Sequence, residues 1–391
     1  MKIRFLESFY GGSHRDVADN LVRCSRHSIE LSTLPARFWK WRMRGGALSF
    51  VRDLDPGAYD LIVSTGLMSV TDLAALLPGD RPPILLYAHE TQLVYPTAGR
   101  NERVDLHFAF TDLTNMLAAD HVAFNSHTHR DAYLSALPRF LRRLPEYRPM
   151  WAVDEIARKS SVCYPGISVV SQPPDGARED RAPGGATSGD AAVPGSATDD
   201  ALRSGTAEPP LILWNHRWEY DKKPDELFDA LRVVRDRGYD FRLALLGENF
   251  QAVPRAFLRA REELGDAIVR FGYVADRAAY EGWLDRADLV VSTAIQENFG
   301  ISVMEAIAHR AVPLLPKRLS YPEIIPAAYH SFLYEEGELA DRLCGMLGGA
   351  AGDLSAPSPL VEHARSFAWD RRIAEFDALF ERVAEHSHGT A

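Results

Sequence analysis

The sequence predicts an α/β protein built from two halves, each a parallel sheet covered by helices. Three observations carry this expectation. At 391 residues the chain exceeds what one hydrophobic core usually organises. Apolar runs of strand length alternate with helix-length amphipathic segments on both sides of the midpoint, which implies parallel strands joined by right-handed crossovers. Residues 171–209 hold no aromatic residue and almost no large aliphatic one. Pro, Gly, Ala, Ser and Asp dominate there, too little apolar surface to offset the entropy of ordering, so the segment reads as a flexible linker or insert. Residues 1–170 and 210–391 are the expected domains.

In the first domain "KIRFLES" is a strand, followed by the helix "HRDVADNLVRCS" and the strands "HSIELSTL", "YDLIVST", "PPILLYAHE", "HVAFNS" and "SVCYPG". In the second, "LILWNHR", "FRLALLGE", "AIVRFGYV", "DLVVSTA", "AVPLLP" and "HSFLY" are strands. The helices among them are "PDELFDALRVVRDRG", "PRAFLRAREELG", "RAAYEGWLDRA" and "ISVMEAIAHR". A last helix over about 366–385 carries Phe367, Trp369, Ile373, Phe376 and Phe380 at packing intervals and is expected to return to the first domain.

Bulk properties exclude several classes. No run of eighteen uncharged apolar residues exists, so no membrane-spanning helix is expected. Arg4 and Glu7 interrupt the apolar N-terminus where a signal peptide would be purely apolar. Cys24, Cys163 and Cys344 are odd in number and scattered, which fits free thiols in a reducing compartment and gives no zinc spacing. The expectation is a soluble, cytoplasmic protein. A net charge of −10 argues against nonspecific nucleic-acid binding, although the acidic excess lies in the second half and leaves room for a local basic surface in the first.

Chemistry concentrates where strands end. "ADLVVSTAIQENFGISVMEA" places Glu297 at a strand exit and Glu305 inside the helix that follows. In open parallel sheets this carboxyl edge is where ligands bind. The amides of Gly300 and Ile301 open the helix and attract a phosphate or a sugar hydroxyl, and Gly300 permits close approach. Glu305 suits two ribose hydroxyls, and Glu297 the hydroxyls of a transferred group. Read alone, each glutamate is equally an ordinary surface or first-turn acid. "LWNHRWEYDKKP" puts Arg217 and Lys222 after the first strand of the second domain, where cations suit a diphosphate. An exposed loop ion pair is the plainer alternative.

Together the two stretches resemble the donor site of retaining glycosyltransferases with the GT-B fold, two Rossmann-like domains facing each other across a cleft. The E-x-F-G-x-x-x-x-E element is Glu297, Phe299, Gly300 and Glu305; the R-x-x-x-x-K element is Arg217 to Lys222. The resemblance implies Glu305 on the nucleotide ribose, Arg217 and Lys222 on the diphosphate, and Glu297 on the donor sugar. It also raises His89, at the end of "PPILLYAHE", from a structural histidine to a catalytic one. Gly11 and Gly12 of "YGGSH" allow a tight loop with Gly12 facing the diphosphate, without the dinucleotide fingerprint. No metal or other cofactor is expected, since Arg217, Lys222 and a helix N-terminus can stabilise the departing diphosphate.

"SFYGGSH", "LPARFWKWRMRGGAL", "YAHETQLVYP" and "AFNSHTHRDAYL" look like the N-terminal domain of the tRNA-queuosine mannosyltransferase family. That resemblance implies GDP-mannose as donor and queuosine in a tRNA anticodon loop as acceptor. Arg37, Lys40, Arg42 and Arg44 interleave with Phe38, Trp39 and Trp41, a mixture suited to phosphates and splayed bases. Core packing accounts for at least one of the tryptophans. Arg139, Arg142, Arg143 and Arg148 form a second basic cluster. A glycan, lipid or small-molecule acceptor is the alternative with the same chemistry; a non-catalytic RNA- or nucleotide-binding module is the alternative without it.

Overall fold

Strands of two to nine residues form two sheets in the computed structural model, which describes residues 1–96, 105–169, 208–248, 253–349 and 354–388. The low-complexity segment expected over 171–209 lies, but for its last two residues, outside the described residues. The first sheet contains β1 (Lys2–Tyr10), β2 (Ser28–Pro35), β3 (Leu61–Thr65), β4 (Ile84–Ala88), β5 (His121–Phe124) and β6 (Ser160–Val162), in the order β2-β1-β3-β4-β5-β6. The second contains β7 (Leu211–Trp214), β8 (Arg242–Leu245), β9 (Ile268–Phe271), β10 (Leu289–Val291), β11 (Val312–Pro316) and β12 (Leu333–Tyr334), in the order β12-β11-β10-β7-β8-β9. Every pairing is parallel.

Parallel strands covered on both faces are apolar at consecutive positions, which is why Leu61–Thr65 and Ile84–Ala88 are buried throughout. The strand order then fixes where ligands bind. In the first sheet the chain leaves β1 for β2 on one side and returns to β3 on the other. In the second it runs β7, β8, β9 in one direction and returns to β10 on the far side of β7. Each reversal opens a crevice beyond the carboxyl ends of the strands, between β1 and β3 and between β7 and β10.

Two stretches join the sheets. Cys163 and Ile167 lead out of the first domain, and the helix Trp369–His388 leads back to it. Ile167 donates its N–H to the Phe367 carbonyl at 2.8 Å, and Trp369 donates to the Ile167 carbonyl at 3.2 Å. A Cβ on Gly166 would fall 2.2 Å from the Trp369 ring, so only glycine admits the indole there. Trp369, Phe376, Leu379, Phe380 and Val383 then share one apolar cluster with Ile3, Phe5, Leu21, Val63 and Tyr87 of the first domain.

Local differences from the sequence reading have simple causes. "HSFLY" contributes only Leu333 and Tyr334 to a strand; Ala327–Phe332 is a 3-10 turn held by His330 Nε2 against the Pro322 and Ile325 carbonyls. The basic-aromatic tract becomes the helix Trp39–Val51, entered through Phe38 in the left-handed region at φ 56°. The first domain also contains helices Leu106–Ala118, His127–Leu141 and Trp151–Arg158.

Candidate active site between the two sheets

One cavity of about 310 Å³ lies where the two crevices face each other. Gly12, His89, Arg217, Lys222, Glu297, Gly300, Ile301 and Glu305 all line it. They come from the exits of β1, β4, β7 and β10, far apart in sequence and adjacent only because both sheets present their carboxyl edges to the same space.

The exits of β7 and β10 are fastened together by backbone and buried charge. Ile295 donates its N–H to the Asp221 carbonyl at 2.8 Å, and Thr293 Oγ1 donates to the Lys222 carbonyl at 2.7 Å. Lys222 Nζ donates to the Gln296 carbonyl at 2.6 Å and lies 3.2 Å from Glu297 Oε2 and 3.4 Å from Asp221 Oδ2. Lys222 is 6% exposed and Asp221 wholly buried, so this charge is shielded from solvent and strong at short range. Arg217 is more open and reaches Glu219 at 3.4 Å and Asp221 at 3.8 Å. Two cations thus stand at one strand exit, each restrained by carboxylates.

Opposite them, Gly300 caps the helix Ile301–Ala308 at φ 96°, a left-handed conformation that a side chain would strain. A Cβ there would also lie 3.3 Å from the Tyr321 ring. The first amides of this helix have no intrahelical acceptor, which makes its start a donor site for an anion or hydroxyl. Glu305, one turn on, meets Arg277 at 2.9 Å and accepts from the Tyr280 hydroxyl at 3.4 Å. Burial raises its pKa to about 7, the Arg277 charge opposing and the Asp16 charge adding to the rise. Asn215 donates to the Tyr280 hydroxyl at 3.0 Å and to the Ser302 carbonyl at 2.8 Å, which holds this corner in register with β7.

From the first domain, His89 enters at the end of β4. Its carbonyl accepts from Asn125 at 2.9 Å and from Asn298 of the second domain at 2.8 Å, so the loop that carries it is tied to both halves. Burial holds its pKa well below the ordinary imidazole value, with the His14 and His129 charges adding to the effect. His89 is therefore neutral at physiological pH.

A family model described as tRNA-queuosine alpha-mannosyltransferase N-terminal matches residues 2–167, and one for group 1 glycosyl transferases matches residues 201–345. A tRNA-queuosine alpha-mannosyltransferase of Drosophila melanogaster is 31% identical over 331 residues, 83% of this chain and 81% of its own length. The chain belongs to the tRNA-queuosine alpha-mannosyltransferase family. It is a glycosyltransferase of mannosyltransferase type. A GDP-mannose-dependent alpha-(1-6)-phosphatidylinositol dimannoside mannosyltransferase of Mycobacterium tuberculosis is 31% identical over 191 residues, 47% of each chain. Sucrose-phosphate synthase from Thermosynechococcus elongatus superposes with a TM-score of 0.71 at 14% identity, over 98% of this chain and 99% of its own. The fold is of the GT-B glycosyltransferase kind.

The basic-aromatic candidates of this enzyme lie outside the cavity lining. Arg37, Lys40, Trp41 and Arg44 are exposed and Arg42 half-buried. Trp41 is 64% exposed and Phe38 71%, whereas Trp39 packs on Phe108 with ring centroids 5.1 Å apart. Lys40 Nζ stands 5.5 Å over the Trp39 ring. A Cβ on Gly45 would fall 2.9 Å from the Trp41 indole, so that ring lies along its own helix.

Several lining residues were not singled out from the sequence: His14, Asp16, Asn215, Gly247, Arg277 and Tyr280. Gly247 and Arg277 follow β8 and β9, and a rule of inspecting every strand exit would have found them. His14 lies in "YGGSH", where nothing in the loop itself marks the carboxylate of Glu7 that meets it.

Proposed function

We propose that this enzyme transfers mannose from GDP-mannose to queuosine in the anticodon loop of a tRNA, with retention at the anomeric carbon, in the cytoplasm where mature tRNA is found. The observation that supports the donor half best is the convergence of Arg217, Lys222, the Gly300–Ile301 amides and Glu305 on one cavity between two sheet crevices. In this reading the diphosphate lies against the two cations, the ribose hydroxyls against Glu305, and the mannose against Glu297 and the neutral His89. Charge-assisted bonds to the diphosphate stabilise it as it departs. The acceptor hydroxyl attacks from the same face, and the departing phosphate oxygen takes its proton. The Mycobacterium relative carries the term GDP-mannose-dependent in its name, which supports guanine as the donor base.

For the acceptor, the exposed Trp41 and Phe38 offer stacking faces amid Arg37, Lys40, Arg42 and Arg44, a mixture that suits an unpaired loop of RNA. The test has two arms. Calorimetry with GDP-mannose, UDP-glucose and UDP-GlcNAc should show binding of the first alone. Mannose transfer should then occur to tRNA that carries queuosine and not to tRNA that lacks it. Equal transfer to both tRNAs overturns the acceptor. The triple variant Lys40→Ala, Arg42→Ala, Arg44→Ala should lose transfer to tRNA and keep its GDP-mannose affinity. Normal transfer by that variant places the RNA elsewhere, along Arg139 to Arg148.

A further inference from the structure

The donor reading leaves one buried carboxylate–imidazole pair of the cavity wall unused. Glu7 lies within β1 at zero exposure, a carboxylate in the middle of the first domain's core. Both of its oxygens are engaged. Oε1 accepts from the Phe9 N–H at 2.8 Å and from Thr65 Oγ1 at 3.1 Å, and Oε2 lies 3.1 Å from Nδ1 of His14. His14 sits in the first turn of the helix Gly12–Cys24, beside the Gly11–Gly12 loop, and lines the cavity at 6% exposure. Its ring lies against that of His89, with centroids 4.2 Å apart and planes 33° from parallel.

A carboxylate held this firmly has one evident effect on the imidazole it touches, which is to fix its orientation and favour its protonated form. With Nδ1 turned to Glu7, Nε2 is the ring nitrogen left for the cavity. Glu7, His14 and His89 each offer a ligand atom within 4.8 Å of the others, which raises the question of a metal ion. With Nδ1 of His14 already hydrogen-bonded to Glu7 at 3.1 Å and the two rings tilted 33° against each other, an ion would have to displace that hydrogen bond to gain a second ligand. The arrangement is that of a donor imidazole.

We propose that His14, anchored by Glu7, donates a charged hydrogen bond to the diphosphate of the nucleotide sugar, so that the leaving group is gripped from both domains. The inference rests on the donor reading above. Arg217 and Lys222 supply the grip from the β7 exit, and His14 supplies it from the β1 exit. In transfer, the bond between the anomeric carbon and the phosphate oxygen breaks with its electron pair going to that oxygen. The acceptor oxygen bonds to the carbon, and its proton passes to the phosphate. His14 keeps its own proton throughout and stabilises the charge that accumulates. Neutral His89, its tilted ring against that of His14, remains free to hydrogen-bond the sugar. The full grip therefore exists only when the two domains are together, which couples departure of the diphosphate to closure.

The groups around His14 set the pH window. Burial presses its pKa down, but the Glu7 charge and hydrogen bond outweigh this, Glu90 helps and Arg217 opposes; the net direction is up. Asp16 on its own helix and His89 from β4 complete the surroundings. GDP affinity of the unaltered enzyme, corrected for the ionisation of the diphosphate itself, should weaken as pH rises through the His14 pKa. Guanosine affinity should not. His14→Gln should lower GDP affinity on the order of tenfold with guanosine affinity unchanged, a loss typical of one charge-assisted bond. Glu7→Gln should move the alkaline limb of GDP binding and of kcat to lower pH, a displacement that a merely structural role would not produce. GDP binding without an alkaline limb in the unaltered enzyme, or equal loss of GDP and guanosine binding in His14→Gln, overturns the proposal. Absence of any GDP binding by the unaltered enzyme overturns the donor reading instead.

Discussion

Lys222 Nζ lies 3.2 Å from Glu297 Oε2, and this pair joins the exit of β7 to the exit of β10. Asp221, 3.4 Å away on the same ammonium, is wholly buried. One side chain therefore neutralises two carboxylates while it offers charge to the cavity. Its loss is predicted to act twice. Lys222→Ala should weaken GDP binding and also destabilise the fold by roughly 3 kcal/mol, because it leaves a buried carboxylate short of its cation. Urea melts and calorimetry on the same preparation separate the effects. An unchanged melt would show that Arg217 alone suffices for Asp221.

Glu305 makes stability depend on pH in an unusual direction. Its native pKa, about 7, lies above that of an unfolded glutamate, so between roughly pH 4.5 and pH 7 the folded chain holds a proton that the unfolded chain has released. Stability from this residue is full below that interval and declines as pH rises through it. Glu305→Gln cannot titrate. The Tm difference between Gln variant and unaltered enzyme should therefore grow in favour of the variant from pH 5 to pH 7. A difference that stays flat would mean Arg277 keeps the carboxylate ionised throughout.

Glu323 of the second domain caps a helix of the first. Its carboxylate accepts from the His127 N–H at 2.8 Å, the Thr128 N–H at 2.7 Å, Thr128 Oγ1 at 2.5 Å and the Tyr164 hydroxyl at 2.6 Å. Burial works against its charge, but these hydrogen bonds prevail and its pKa lies below the ordinary glutamate value. Glu323→Ala should remove a helix cap worth about 1 kcal/mol and loosen the two domains. Solution scattering should show a larger radius of gyration, and the KM for donor should rise. Scattering identical to that of the unaltered enzyme would confine the role of Glu323 to capping.

Gly247 admits no side chain. A Cβ would stand 1.9 Å from the His216 carbonyl oxygen and 2.8 Å from the Trp218 ring. Trp218 N–H bonds to the Glu248 carbonyl at 3.2 Å, so the β7 and β8 exits cannot separate without breaking that contact. Gly247→Ala is expected to lower stability by roughly 1–3 kcal/mol and to displace Arg217, with GDP affinity falling alongside. Retained affinity in a stable variant would mean that the loop yields without moving the cation.

What the sequence disclosed and what it withheld divide along one physical line. Glu297, Gly300 and Glu305 fall within nine residues on a strand exit and its helix, so the spacing alone carries their geometry. Phe376 and Phe380 announce a packing face for the same reason. Glu323 is different: its partners lie 159 to 196 residues away, and nothing nearby in the chain hints at them. Glu7 leaves a trace, as a charge inside an apolar strand, but a lone charge there argues only against a signal peptide and names no partner. Arg277 opens a helix like many other arginines do, and only the fold brings it to Glu305.

The C-terminal helix bears on how the chain is made. The apolar surface formed by Ile3, Leu21, Val63 and Tyr87 is covered by Trp369, Phe376 and Phe380, which leave the ribosome after the whole second domain. At the usual translation speed of about 5–20 residues per second, the stretch from Cys163 to Trp369 takes roughly 10–40 s. During that interval the first domain is complete in its strands and incomplete in its core. It must wait, exposed, until Trp369 and the helix that follows it emerge, and a nascent chain halted before Trp369 carries an open hydrophobic face for chaperones to shield.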